Sequence, residues 1–340
     1  MINYLCTSPM PRVEGTDAVY NEIATLKSHF SGNVETLYPF RTPSSRYPAM
    51  MLGLHKIGKL KSHENQSEIN HIYGAGLYRM PAINHLKKPT IYSLVAGISS
   101  QRDLPSNNYL NKFEAIVVSN ERDYALLKEY GVDRVNLIRT SIDVDHFDKQ
   151  TLPLDDNLHL IMASAPWESK QFESKGIHII LSALQSMRNV HMTFLWRDIL
   201  PEVMRKLITM YGVEDKVTLV NNHVDVNTYL SKAHGAILLA NDTRVIKAYP
   251  HSLLESLCAG KPVLLTRDIP LSDFVKKHNC GLVLNEFSSE GVLNAIAKFK
   301  SEYRTLAKNA YNIPKETFSK ERFIEQHQDL YQKVMAKKSK

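Results

Sequence analysis

The residues with the clearest chemical potential lie between positions 249 and 266. Ser252 is followed three residues later by Glu255, just before an apolar run, which is the pattern of a capping box at the start of a helix. Gly260 then marks the end of that helix. The pattern therefore predicts a very short helix over residues 253–259.

The segment that follows this helix predicts an anion site. Val263–Thr266 is a continuous apolar run, as expected of a central parallel strand that is buried on both faces. A helix packed on such a sheet presents its first backbone N–H groups and the positive end of its dipole at the edge of the sheet. We expect the N–H groups of Leu253, Leu254 and Glu255 to bind an anion there, most suitably a phosphate.

Short apolar runs alternate with helical patterns along the chain, which predicts open parallel α/β sheets. Polar, charged and proline residues interrupt this rhythm between 143 and 157, so we predict two similar α/β domains in series. A crevice between them would face the carboxyl ends of both sheets. The predicted strands are 2–6, 34–38, 69–73, 90–95, 115–119, 135–138, 158–163, 190–196, 217–220, 236–240, 263–266 and 282–284, and the predicted helices include 18–30 and an amphipathic helix over 320–335.

Length and composition limit the possible classes. The chain has 340 residues, 43% of them hydrophobic, which is enough for two separate cores. The net charge of +7 favours acidic partners such as nucleotides or phospholipids, although it is spread along the chain as on an ordinary surface. Three widely spaced cysteines without metal-ligand spacing, and the lack of an apolar run of about 18 residues, indicate a soluble or peripheral cytoplasmic protein.

Six segments in succession resemble landmarks of the family 4 glycosyltransferases, and they occur in the order typical of that family. They are residues 10–16, 113–119, 138–147, 174–177, 251–262 and 317–323. The resemblance implies the α/β architecture called GT-B, in which two Rossmann-like domains with parallel sheets face an interdomain cleft. It also implies an acceptor-side domain at 1–150, a nucleotide-sugar-binding domain at 151–315, and a helix at 316–340 that returns to the first domain.

The same resemblance implies an enzyme, a retaining hexosyltransferase-type glycosyltransferase. Its reaction would move a sugar from a nucleoside-diphosphate sugar to a glycan or lipid-linked acceptor, in the assembly of surface polysaccharide or lipopolysaccharide. We expect no metal, no cofactor besides the donor, and a UDP-sugar rather than a GDP-sugar as that donor. A nucleic-acid partner is not expected, because the basic residues do not interleave with aromatic residues.

Two lysines are the candidate cations of the donor site. Lys175 precedes Gly176 at the start of a helix predicted over 177–187, where its charge would stabilise the departing diphosphate. The alternative interpretation is an ordinary surface lysine. The arginine that the family often places ahead of this pair is absent, and Lys170 is the candidate replacement, although lysine lacks the bidentate fork of arginine.

Four residues are candidates for binding the nucleoside. Glu255 either accepts hydrogen bonds from the ribose hydroxyls, which the resemblance favours, or closes the capping box with Ser252. Asn222, His223 and Val224 follow a predicted strand, where the family usually holds the base through backbone groups. His223 is alternatively an exposed loop histidine.

Four further positions complete the candidate site. Lys247 stands where the family commonly has the first of two glutamates, and it either meets a phosphate or an acidic sugar or points to solvent. His251 and Ser252 form the start of the resembling segment and join the donor site. Gly15, which follows the first strand, either lets a phosphate or sugar approach the backbone or forms an ordinary turn.

Residues 46–63 form a basic amphipathic stretch with two interpretations. It either lies on an anionic membrane, which would suit a lipid-linked acceptor, or packs on the core with a solvated face.

Two other functions remain open on the same architecture. One is a nucleotide-sugar epimerase or a phosphorylase, and an epimerase would turn over its substrate without an acceptor. The other is a non-catalytic partner that keeps the fold, which Lys247 suggests because it replaces a carboxylate near the donor sugar.

Overall fold

The structure, a computed structural model, describes residues 1–11, 17–40 and 47–337. The chain forms two compact units, one made of Met1–Ser141 with the segment from Phe318 onward, and one made of Ile142–Thr317. Each unit contains one six-stranded parallel sheet with helices packed against it. The prediction of parallel α/β sheets is therefore confirmed.

The strands of the two units correspond closely to the apolar runs of the sequence. In the first unit they are β1 (Ile2–Cys6), β2 (Gly32–Thr36), β3 (Ile69–Gly74), β4 (Thr90–Leu94), β5 (Ala115–Val118) and β6 (Val135–Leu137). In the second unit they are β7 (Leu158–Met162), β8 (Val190–Leu195), β9 (Val217–Val220), β10 (Gly235–Leu238), β11 (Val263–Thr266) and β12 (Gly281–Leu284). The largest difference is at β2, which begins two residues before the predicted start.

Helices connect these strands. They are α1 (Ala18–Phe30), α2 (Ile57–Asn65), α3 (Asn107–Leu110), α4 (Glu121–Glu129), α5 (Gln171–Ser174), α6 (Ile177–Ser186), α7 (Pro201–Tyr211), α8 (Val226–Leu230), α9 (His251–Cys258), α10 (Leu271–His278), α11 (Ser289–Tyr311) and α12 (Lys320–Ala336). The strand order is β2-β1-β3-β4-β5-β6 in the first unit and β12-β11-β10-β7-β8-β9 in the second. None of the helices in the described ranges is long and apolar enough to cross a membrane.

The last helix completes the core of the first unit. Ser319 caps the start of helix α12, and its hydroxyl accepts a hydrogen bond from the Arg322 N–H group. Its apolar face, which includes Phe323 and Leu330, packs in one core cluster with Ile23 of α1 and with strands β1 and β3. A helix that buries such a face gains most of its stability from this packing rather than from its own propensity.

A buried polar network lies beneath α12. The two ring nitrogens of His71 on β3 are each 2.7 Å from a hydroxyl oxygen, that of Tyr331 on α12 and that of Ser93 on β4. His327 Nδ1 donates to the Phe323 carbonyl oxygen at 2.9 Å, which leaves Nε2 as the unprotonated nitrogen. That Nε2 atom is buried without a hydrogen-bond partner among the described residues. Protonation of His327 would therefore place an unpaired charge in the core.

This network predicts that acid destabilises the first unit. Burial lowers the pKa of His327 to about 4, whereas the unfolded chain takes up the same proton near the ordinary histidine value of 6.5. The unfolded state therefore binds more protons between these values, and stability falls as the pH drops from 6.5 toward 4, by on the order of 3 kcal/mol. Thermal unfolding from pH 7 to pH 4.5 would measure the decline.

Two histidine variants make that measurement specific. The His327→Leu protein should lose a smaller amount of stability over this pH range than the parent chain does, because its titrating group is gone. Exposed His85 provides the matched control, and the His85→Gln protein should follow the parent curve. Parallel curves for all three proteins would contradict the assignment to His327.

From residue 47 onward, the basic stretch predicted at 46–63 divides into several short elements, and Arg46 lies outside the described residues. Residues Ala49–Met51 and Leu54–Lys56 form single 3₁₀ turns, and helix α2 follows. Met50 is 61% exposed, and Lys56 and Lys59 both form ion pairs with the buried Glu35. Part of its positive charge is therefore neutralised within the unit, and its predicted contact with lipid stays a prediction.

Candidate functional site

The order of strands in the second sheet brings three chain segments to one edge. Strand β7 lies between β10 and β8. Lys175 follows β7, Arg197 follows β8, and helix α9 follows β10. Because the carboxyl ends of parallel strands share one edge of the sheet, all three segments begin at the same edge. This is the edge at which open α/β folds bind their ligands.

Lys175 is held in place between two short helices. It ends α5, and the next residue, Gly176, has φ of 65°, a left-handed conformation that favours glycine. A Cβ atom on Gly176 would lie 3.1 Å from the Cβ atom of Leu239, the residue after β10, so a larger residue would also require Leu239 to shift. The predicted helix at 177–187 is confirmed as α6.

The Lys175 side chain points into the protein at the end of β7. Its Nζ atom donates to the Ser164 hydroxyl and to the Ala165 carbonyl oxygen, both at 3.1 Å, and the residue is only 2% exposed. Burial, with a smaller contribution from the charge of Arg197, lowers the pKa of Lys175 to about 8. The alternative of an ordinary surface lysine is therefore wrong, since Lys175 is an enclosed cation.

Helix α9 begins earlier than the sequence indicated, and the predicted capping box is not formed. The helix begins at His251, its N-cap is Pro250, and no side chain caps it. The N–H groups of Leu253 and Leu254 donate to the Pro250 carbonyl oxygen at 3.0 and 3.1 Å. The prediction that these two groups bind an anion is therefore wrong. A proline carbonyl at the N-cap takes the role that the Ser252 hydroxyl was expected to have.

The end of α9 that presents N–H groups without an acceptor inside the helix is accordingly shifted by two residues. Ser252 occupies the second helical position, where the N–H group has no acceptor inside the helix. Its N–H group and that of His251 lie where the positive end of the helix dipole is concentrated. Lys247 adds a cation here, with its Nζ atom 3.5 Å from His251 Nε2. The start of α9 is therefore electropositive.

Glu255 lies one turn into α9, where ionisation of its carboxyl group is unfavourable. The residue is partly exposed, and burial raises the pKa of its carboxyl to about 7 against the opposing charge of Arg197. The charge of His146 also lowers this pKa, whereas the charge of Asp225 raises it. Since the capping box is not formed, helix capping does not explain this carboxylate.

A histidine–aspartate pair lies beside Glu255, and sequence reasoning missed it. His146 Nε2 is 2.7 Å from Asp225 Oδ1. Burial acts to raise the pKa of Asp225, but the hydrogen bonds from His146 and Asn227, together with the charge of His146, outweigh it and lower that pKa. These residues are 79 positions apart. No sequence pattern connects them, so only the fold brings them together.

Sequence reasoning also missed Arg197. It is the first charged residue after the apolar strand β8, which was the available signal, because side chains that follow buried parallel strands lie at the ligand edge. Its positive charge acts to lower the pKa of both Lys175 and Glu255. Lys170, by contrast, is exposed at the start of α5.

The remaining predicted site residues lie in other segments of the chain. Asn222 and His223 are exposed and Val224 is partly buried in the segment between β9 and α8. The exposure of His223 fits either of its two interpretations. Gly15 lies outside the described residues. Within residues 1–11, 17–40 and 47–337, no group of three or more histidine, cysteine, aspartate or glutamate side chains could hold a metal ion.

The family comparison covers the part of the chain that contains this site. Residues 169–316 match the sequence model described as "Glycosyl transferases group 1", which is less than half of the 340-residue chain. Lys175, Arg197 and Glu255 all fall inside the matched range. No curated protein matches the chain in sequence.

Solved structures resemble the chain over almost all of its length. Sucrose-phosphate synthase from Thermosynechococcus elongatus is 14% identical with a TM-score of 0.71, and the match covers 99% of each chain. Anabaena HepE in complex with UDP-glucose is 16% identical with a TM-score of 0.72, covering 98% of this chain and 99% of that one.

A third structure is the glycosyltransferase WaaG, which is involved in lipopolysaccharide biosynthesis. It is 17% identical with a TM-score of 0.64, covering 92% of this chain and 94% of that one. At such low identities the likeness shows the fold alone. The predicted fold class, α/β of the GT-B type with parallel sheets, is confirmed.

Proposed function

We propose that this protein is a glycosyltransferase that moves a sugar from a nucleoside-diphosphate sugar to a glycan or lipid-linked acceptor. The observation that carries the proposal is that the electropositive start of α9 and the enclosed Lys175 lie at the same edge of the second sheet, within residues 169–316 that match the group 1 glycosyltransferases. Glu255, one turn further, supplies the acceptor oxygens that two ribose hydroxyls require. The second unit is thus assigned to the donor.

The finer parts of the proposal rest on the resemblance noted in the sequence. They are transfer with retention of configuration, membership of family 4, acceptor binding by the first unit, and a role at the cytoplasmic side in surface polysaccharide or lipopolysaccharide assembly. The similarity to WaaG supports the pathway, because that protein acts in lipopolysaccharide biosynthesis. A UDP-sugar is the favoured donor, and Anabaena HepE is known in complex with UDP-glucose.

The proposed reaction needs charge stabilisation more than a side-chain base. As the bond from the anomeric carbon to the diphosphate oxygen breaks, negative charge grows on the departing diphosphate. The Lys175 ammonium and the first N–H groups of α9 stabilise that charge. The acceptor hydroxyl forms the new bond on the same face of the sugar and passes its proton to the diphosphate.

A thermal-shift screen tests the donor assignment. We expect UDP to raise the melting temperature by roughly 5 °C at about one hundred times its dissociation constant, because a ligand of the folded state alone contributes about 2.7 kcal/mol at that ratio. GDP, ADP and CMP should produce smaller shifts. The absence of any shift with all four nucleotides would contradict the proposed function.

Product analysis separates transfer from the alternatives. A glycosyltransferase should release UDP from a UDP-sugar only slowly until an acceptor is added. Conversion of the sugar with donor alone would favour an epimerase. Nucleotide binding without hydrolysis or transfer across an acceptor panel would favour the non-catalytic partner, for which the replacement at Lys247 is the specific observation.

A further inference from the structure

The loop that follows β8 has an unusual backbone. Arg197, Asp198 and Leu200 have φ of 51°, 60° and 47°. They are three of the six non-glycine residues with positive φ in the described parts of the chain, and all three fall within four positions. Each such conformation costs on the order of 1 kcal/mol, and residues that keep it cluster at functional sites.

Two features hold this loop in its strained form. The N–H group of Asp198 donates to Asn221 Oδ1 at 2.9 Å, and Asn221 Nδ2 donates to Asp198 Oδ1 at 3.1 Å. On the other side of Arg197, Trp196 is fully buried, and its backbone N–H group donates to the Val220 carbonyl oxygen at 2.8 Å. Arg197 is therefore presented by a loop that is fixed at both of its neighbours.

This loop stands next to the donor-site groups. Strand β8 is the direct neighbour of β7, which leads to Lys175, and β10, which leads to α9, is the neighbour of β7 on its other side. The positive charge of Arg197 opposes protonation of Lys175 and favours the ionised form of Glu255. Arg197 is exposed at the edge where a ligand would arrive.

We propose that Arg197 binds the diphosphate of the donor and that Asn221, through Asp198, is the residue that positions it. A guanidinium offers parallel N–H groups that match two phosphate oxygens, which an ammonium cannot do. A loop held in one conformation also lowers the entropy that binding would otherwise cost. The proposal rests on the proposed function and names the chemical group of the donor that this part of the site recognises.

Calorimetric titration with UDP and with uridine tests the role of Arg197. We expect Arg197→Ala to weaken UDP binding by roughly 10- to 100-fold, the range of a charge-assisted hydrogen bond, and to leave uridine binding unchanged. Arg197→Lys should recover only part of the loss. Arg205→Ala, at an exposed arginine on α7, is the matched control and should bind UDP like the parent chain.

Asn221→Ala tests the positioning role with the same two ligands. We expect UDP binding to weaken by about 10-fold with uridine binding and melting temperature unchanged, since only the Arg197 loop is released. The Arg197→Ala, Asn221→Ala double variant should then be no weaker than Arg197→Ala alone. Additive losses would show that Asn221 acts independently of Arg197 and would overturn its positioning role.

The outcomes separate this proposal from the one it rests on. If the parent chain binds UDP and Arg197→Ala binds it equally well, the role of Arg197 is overturned and the glycosyltransferase assignment stands. If Arg197→Ala weakens UDP and uridine to the same degree, Arg197 contacts the nucleoside instead, which also overturns the proposal. A parent chain that binds no nucleotide of any base overturns both.

Discussion

Replacing Lys175 with methionine should lower the rate of sugar transfer by on the order of 10²–10³-fold, the typical cost of losing one group that stabilises a developing negative charge. The ammonium is enclosed at the end of β7 and fixed by Ser164 and Ala165. In the proposed reaction this fixed ammonium would stabilise the departing diphosphate without reorganisation of solvent. Initial rates with saturating donor and acceptor would measure the effect.

The same variant should keep its fold, which makes the loss of rate interpretable. Burial lowers the pKa of Lys175 from 10.5 to about 8, so the charged form opposes folding below pH 8, and this cost is relieved as the pH rises from 8 toward 10.5. Methionine fills a similar volume without a charge. The melting temperature of Lys175→Met at pH 7 should be equal to or above that of the parent chain.

A matched lysine variant completes this experiment. Lys206 is exposed on α7, away from the edge of the sheet that carries the site, so Lys206→Met should transfer sugar at the parent rate. Full activity in Lys175→Met, with the fold intact, would remove Lys175 from the reaction.

Replacing Glu255 with glutamine should weaken nucleotide binding and raise stability in the same protein. A neutral amide accepts hydrogen bonds from ribose hydroxyls less strongly than a carboxylate does, which predicts a roughly 10- to 100-fold loss of UDP affinity. Because burial raises the pKa of Glu255 to about 7, the affinity of the parent chain should increase from pH 6 to pH 8. The Glu255→Gln protein should lack this pH dependence, which titrations at the two pH values would reveal.

The stability effect has a definite sign. The folded-state pKa of about 7 lies above the ordinary glutamate value of 4.5, so the ionised carboxylate increasingly opposes folding as the pH rises from 4.5 to 7, and this cost is constant at higher pH. Partial exposure reduces this cost, and we expect Glu255→Gln to be more stable at pH 8 by about 1–2 kcal/mol. The difference should vanish below pH 4.5. A functional residue that is kept at a cost to stability is a common compromise at binding sites.

Glu214→Gln is the corresponding control, because Glu214 is exposed and lies outside the site. It should leave both UDP affinity and the melting temperature unchanged. A Glu255→Gln protein that binds UDP as tightly as the parent chain would exclude ribose as the partner of this carboxylate.

The strands were predictable because their signal is local. Buried parallel strands must be apolar along their length, so the run Val263–Thr266, which is buried at every position, coincides with β11. Where a strand is only partly buried, as in β2, the signal is weaker and the predicted boundary was displaced. Helix α9 was placed too late for a different reason. Its serine and glutamate spacing matched a capping box, but Pro250 caps the helix with its carbonyl group.

The sequence by itself determined the alternation of strands and helices, and it marked Lys175 and the start of α9, because each depends on residues close together in the chain. The tertiary structure alone decided which charges meet at the edge of the second sheet. Arg197, Asp225 and His146 come from separate segments of the chain, and only the fold brings their charges close enough to act on Glu255. Electrostatic interactions depend on distance in space and on burial, which spacing along a chain does not specify.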